Sequence, residues 1–155
     1  MSKGSTGGRG TGWVVAQTVV MTAALVVLAV GPVRVESTAV RAVGIAVLSL
    51  GALFAGWALR TLGRDLTPFT TPPPGAKLVE SGPFAIVRHP IYGGGLGVFT
   101  GLSIGFDLAA LALTAALALV WLGKTREEEE RLRERFDGYA AYMQRVRWRF
   151  VPYLL

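Results

Sequence analysis

Arg88-His89-Pro90-Ile91-Tyr92 joins a guanidinium, the chain's single histidine and a phenol at the start of an apolar, glycine-rich run. About 35 residues later, Glu127-Glu128-Glu129-Glu130 stands at the foot of another apolar run. If the two runs are neighbouring helices, cationic and acidic groups meet at the same end of both. Such a pocket suits a zwitterion, with cations for a carboxylate and carboxylates for an ammonium. Pro90 fits the first turn of a helix, where its missing N–H costs nothing. The free N–H groups and positive dipole end there favour an anion. A sulfonium-bearing amino acid cofactor fits both halves, with Phe84, Tyr92, Tyr139 and Trp148 available for cation–π contact. No metal site is expected, because one histidine and no cysteine leave only carboxylates as ligands.

The elements that must position these groups read as membrane helices. Of the 155 residues 52% are hydrophobic and only 17% charged, and the mean hydropathy is +0.47. Trp13 to Val33 is about 21 residues without a charge, enough to cross a bilayer of ~30 Å. Ala42 to Leu59 is a second such run, and Ile91 to Phe106 and Leu108 to Leu122 are shorter ones separated by Asp107. The expected fold is therefore an all-α integral membrane protein. It has four transmembrane helices, the last two a short hairpin, and a C-terminal amphipathic helix.

Four spans put both termini and the 60–90 loop on one side, with fourteen of the lysines and arginines; only Arg34 and Arg41 face the other. By the positive-inside rule both termini are expected to be cytoplasmic in a multi-pass protein of the cell membrane. Topology and anionic lipid headgroups then account for most of the net charge of +6, and no nucleic-acid partner is expected. The first span has too long an apolar core for a cleavable signal peptide. Gly7-Gly8-Arg9-Gly10-Thr11-Gly12 superficially suggests a phosphate loop, but no strand precedes it and a span follows. The expected organisation is one domain over 1–155: a disordered tail to residue 12, two spans over 13–59, and a cofactor-binding core over 60–155.

Within that core, Thr71-Pro72-Pro73-Pro74-Gly75 cannot be helical, and Ala76 to Val79 is expected to run extended. Gly93, Gly97, Gly101 and Gly105 recur every four residues, a pattern for close helix approach or for room beside a flat ligand. Lys124 to Tyr142 reads as a charged helix in which Lys124 and Glu128 share a face. Leu132, Phe136 and Tyr139 give it an apolar stripe, for resting on the membrane or on the protein.

The run Gly82-Pro83-Phe84-Ala85-Ile86-Val87-Arg88-His89-Pro90-Ile91-Tyr92 resembles the signature of the isoprenylcysteine carboxyl methyltransferase and phospholipid methyltransferase superfamily. Glu128-Glu129, Leu132, Phe136, Tyr139, Tyr142, Val146, Arg149 and Pro152 follow at that superfamily's spacing, so the resemblance covers about residues 60–153. It implies an integral membrane enzyme that moves a methyl group from S-adenosylmethionine to a lipophilic or lipid-linked acceptor. It implies cofactor contacts at Lys77, Leu78, Val79, Phe84, His89, Pro90, Ile91 and Tyr92. Arg88, His89, Glu128 and Glu129 take the catalytic positions, and Lys124 and Glu128 the acceptor site. Lys124 stands where the family often has arginine; it keeps the charge but lacks the bidentate fork. Phe84 replaces a common tyrosine, so that hydroxyl is missing.

Overall fold

The computed structural model describes residues 10–154, and every regular element in them is helical. Five α-helices follow in order: α1 (Thr11–Val30), α2 (Thr38–Leu62), α3 (Pro90–Phe106), α4 (Ala110–Arg135) and α5 (Tyr139–Arg145). Most of the expected N-terminal tail lies outside the described residues, and α1 begins two residues earlier than the apolar run suggested, at Thr11.

Two segments are long and apolar enough to cross a membrane, Thr11–Val30 and Thr38–Asp65. Only 6% and 17% of their apolar windows are buried, so neither resembles the core helix of a soluble protein. Their outer faces carry bare aliphatic side chains such as Val19, Val26, Leu50 and Leu53. The two later apolar runs also form helices. α3 has 17 residues, and the apolar part of α4 is only its first half.

The C-terminal amphipathic helix is not a separate element. Good helix formers dominate on both sides of Gly123 from Leu111 to Arg135, so the second arm of the hairpin and the glutamates share one 26-residue helix. Gly123 lies inside it, with the Trp13 ring filling the space where a side chain would be. The break comes later, at Phe136–Gly138, and α5 folds back. Its Tyr139 and Tyr142 pack with Val146, Leu78, Leu132 and Phe136. The apolar stripe therefore rests on the protein.

α2 and α3 pack along a seam of glycines, as the four-residue period predicts, with one change of register. Gly97, Gly101 and Gly105 face Gly44, Leu48 and Gly51 of α2, but Gly94 takes the fourth place. Gly93 instead meets the Phe150 carbonyl, and Gly95 meets the Trp121 ring. A Cβ on Gly101 would lie 2.3 Å from the Leu48 backbone nitrogen and 2.6 Å from the Gly44 carbonyl oxygen, where no side chain can yield. Gly101→Ala is therefore expected to destabilise by about 1–3 kcal/mol as the helices are forced apart. Gly56→Ala, in open space on the same helix pair, is expected to stabilise by about 0.5–1 kcal/mol. Thermal midpoints of the two variants in detergent check both signs.

At the far end of the hairpin Asp107 is fully buried. Its carboxylate accepts the backbone N–H groups of Val33 (3.3 Å) and Ala109 (2.9 Å) and faces Arg34 at 4.0 Å. Arg34 also donates to the Leu28 and Ala29 carbonyls at the end of α1. The turn that separates the two short runs thus also ties down the end of the first helix.

Candidate active site

The Pro90 ring starts α3, with His89 as its N-cap. The backbone just before it is held by the chain's C-terminal segment: Arg88 N–H donates to the Trp148 carbonyl (2.9 Å) and His89 N–H to the Arg149 carbonyl (2.8 Å). This pairing points the side chains of Arg88, His89 and Tyr92 at α4. Successive helical residues are ~100° apart, so the adjacent glutamates of α4 meet three different sets of partners.

Glu129 is buried at the centre of an ionic knot. It accepts from Arg88 Nε (2.8 Å), His89 Nε2 (3.2 Å) and Arg149 Nη2 (2.9 Å). Burial alone raises its pKa, but the hydrogen bonds from His89, Arg149 and Arg88 outweigh this and hold the carboxyl well below the usual range. Arg88 also donates to the carbonyls of Val146 (2.8 Å) and Arg147 (2.6 Å), so the knot fastens the C-terminal segment to α3 and α4.

Glu128 points the other way. Its carboxylate accepts the Tyr92 hydroxyl (2.7 Å), with His89 Nδ1 at 3.5 Å and Lys124 Nζ at 3.9 Å. Burial outweighs the pull of these neighbours, and its pKa is raised. Lys124, 1% exposed, shows the complementary effect: desolvation lowers its pKa, only partly offset by Glu128. Its ammonium donates to Gln17 Oε1 (2.9 Å) and the Pro68 carbonyl (2.7 Å), and lies 5.3 Å from the centre of the Tyr92 ring. Tyr92 stacks on His89 and tilts against Trp121, with Phe150 edge-on to both Tyr92 and His89. Glu127 belongs to neither group. It accepts from Trp13 Nε1 (2.7 Å), Thr70 Oγ1 (2.9 Å) and Arg131 (2.6 Å), and so binds the start of α1 and the long loop to α4. Glu130 is exposed.

These side chains surround a cavity of about 540 Å³. Lys77, Leu78, Val79, Phe84, Arg88, His89, Pro90, Ile91, Tyr92, Lys124 and Glu128 all line it, while Glu129 lies behind the wall. The lining continues between the helices to Met21, Val98 and Phe99. Of the α3 glycines Gly95 lines it, which is outside the four-residue period, and the Trp121 ring lies closest to that position. The proline-rich loop and the stretch from Ala76 to Val79 run without helix, as expected, and supply one wall.

Residues 39–138 match the family description for phospholipid methyltransferase. The chain belongs to the phospholipid methyltransferase family. This is a family of membrane methyltransferases, and the two long apolar helices agree with a membrane location. The match begins earlier than the motif resemblance, taking in α2, and stops at Gly138, before α5. α1 lies outside it. No curated protein matches the chain.

Three features of the site escaped the sequence reading. Gln17 accepts from both Trp121 Nε1 (3.2 Å) and Lys124; its only signal is a carboxamide in an otherwise apolar run. Arg149 follows the superfamily spacing, yet nothing local ties it to Glu129, twenty residues earlier. Tyr139 reads as part of an apolar stripe and as a ring for cation–π contact, but no sequence signal marks its buried hydroxyl, which has no partner among the described residues where its side chain lines the cavity.

Proposed function

We propose that the protein transfers a methyl group from S-adenosylmethionine to a lipophilic acceptor that enters from the bilayer. The reading rests on one observation: a single cavity joins the polar group Lys124–Glu128–Tyr92–His89 to an apolar lining among the helices. A volume of about 540 Å³ falls in the range of small-molecule sites. The residues present fit the cofactor. A buried hydroxyl without a partner is costly unless a ligand meets it, and Tyr139 offers one beside Leu78 and Phe84. Glu128 offers a carboxylate to an ammonium, and the rings of Tyr92, Trp121 and Phe84 offer faces to a sulfonium.

When bound, S-adenosylmethionine supplies an already activated methyl group. The chain's task is then to orient donor and acceptor in line and to exclude water. Tyr92, stacked between His89 and Trp121, fixes the Glu128 carboxylate through its hydroxyl. Glu129 holds His89 and Arg88 from behind. A carboxylate acceptor, as in a prenylcysteine, has no proton to lose. An amine acceptor, as in a phospholipid, must lose one, and Glu128 or His89 is placed to take it. The four apolar runs are read as four spans with both termini cytoplasmic, which puts the polar end of the cavity at the cytoplasmic surface. Release of label from methyl-labelled S-adenosylmethionine into a lipid extract tests the function. No transfer to any lipid fraction, from protein that is folded in detergent, would overturn it.

Tyr139→Phe separates binding from folding. S-adenosylhomocysteine affinity is expected to fall about three- to tenfold, the net worth of one hydrogen bond. The thermal midpoint of the empty protein is expected to stay level or rise, because the orphaned hydroxyl is gone. Calorimetry and thermal unfolding in the same detergent check both.

A further inference from the structure

Gln17 comes from α1, outside the stretch that matches the family. Its carboxamide oxygen receives two donors, the Trp121 indole N–H at 3.2 Å and the Lys124 ammonium at 2.9 Å. That fixes the amide's orientation, since the opposite rotamer would set an NH₂ group against an indole N–H and an ammonium. Both lone pairs are thereby used. The amide nitrogen has no partner among the described residues, and Gln17 lines the cavity where it turns apolar, with Met21 one helical turn away. All that Gln17 can offer an occupant is a pair of N–H donors. The neighbouring polar groups point to the same chemistry. Lys124 has two of its three N–H bonds on Gln17 and Pro68, and the indole N–H is spent. Beside Gln17 the wall therefore offers donors, and the Glu128 carboxylate stands beyond the Lys124 ammonium, 3.9 Å from it.

We propose that Gln17 is a specificity-determining residue of the acceptor site, selecting lipids whose head presents a hydrogen-bond-accepting oxygen. The assignment rests on the reading of this cavity as the acceptor site. An ammonium or hydrocarbon head leaves the amide N–H groups desolvated and unpaired, and a site built to hydrogen-bond rejects such analogues strongly.

Gln17→Glu tests this. It keeps an oxygen for Trp121 and Lys124 while removing the donors; Gln17→Leu removes both functions. Binding of oleate, oleylamine and 1-octadecene to the full chain in detergent is measured for each protein, with S-adenosylhomocysteine as the cofactor-site control. Wild type is expected to bind oleate at least about tenfold more tightly than the other two. Gln17→Glu is expected to lose that preference while keeping S-adenosylhomocysteine affinity and thermal midpoint. Unchanged oleate preference in Gln17→Glu overturns the proposal. So does recovery by Gln17→Glu of a preference lost in Gln17→Leu, since Gln17 would then serve only to anchor Lys124. Wild type that discriminates oleate but binds no S-adenosylhomocysteine would leave Gln17's role standing and sink the methyltransferase reading.

Discussion

Glu128→Gln is expected to lower S-adenosylmethionine-dependent methylation by about 10²–10⁴-fold, the range for loss of a positioned general acid or base. The same protein is expected to be at least as heat-stable as wild type. Both effects come from one environment. Glu128 sits in the cavity wall, where burial raises its pKa despite His89, Tyr92 and Lys124. A raised carboxyl pKa means that the ionised form weakens the fold above the unfolded value of ~4.3. Glutamine removes that cost and can still accept the Tyr92 hydroxyl. The stability advantage of the variant is expected to shrink as pH falls toward ~4, where the wild-type carboxyl is protonated as well. Methyl transfer at pH 7.5 and thermal unfolding between pH 7.5 and 4 test it. Wild-type turnover, or loss of a cooperative transition, would sink the assignment.

Glu129→Gln, one residue further on, is expected to do the opposite. Its carboxylate is the shared partner of Arg88, His89 and Arg149, and Arg88 is buried with it. Removing one member of a buried ion pair leaves a desolvated charge and costs about 3–5 kcal/mol. For a chain of this size that is a fall of roughly 10 °C in thermal midpoint. The pH dependence carries the reverse sign. The Glu129 pKa is depressed in the fold, so its contribution is complete above the unfolded value of ~4.3 and is lost as pH falls through the folded value. Wild type is expected to weaken on acidification below that point, whereas Glu129→Gln is already weak and loses little more from this site. A variant with the wild-type midpoint would show that the knot of Arg88, His89 and Arg149 holds without its anion.

The contrast between these neighbours marks where the sequence stops being legible. Both glutamates, the Arg88–Tyr92 motif and their facing placement follow from short-range signals: apolar run length, Pro90 at a helix start, and paired motif spacing. So does the turn at Asp107. Which glutamate faces the cavity depends on the rotation of α4, and that is set by packing around Trp121 and Lys124 along its length. The continuity of α4 was hidden because a change from apolar to charged residues, with Gly123 between them, looks like a boundary, although good helix formers continue on both sides. Gln17 and Tyr139 acquire their roles only through contacts far along the chain. The glycine period was legible as packing, but its register was not. Gly93 was diverted by the Phe150 carbonyl, which belongs to a segment with no periodic signal of its own.

That returning segment has a consequence for how the protein is made. Val146, Arg147, Trp148 and Arg149 supply the carbonyls that seat Arg88 and His89, and Phe150 closes the aromatic group around Tyr92. They follow every helix among the described residues in the order of synthesis. All five helices can therefore have left the ribosome while Arg88 still lacks three of its acceptors and Glu129 one of its donors. If the protein is the methyltransferase proposed above, its site is complete only once residues 146–150 have docked between α3 and α4, and a chain stopped at α5 is expected to be inactive.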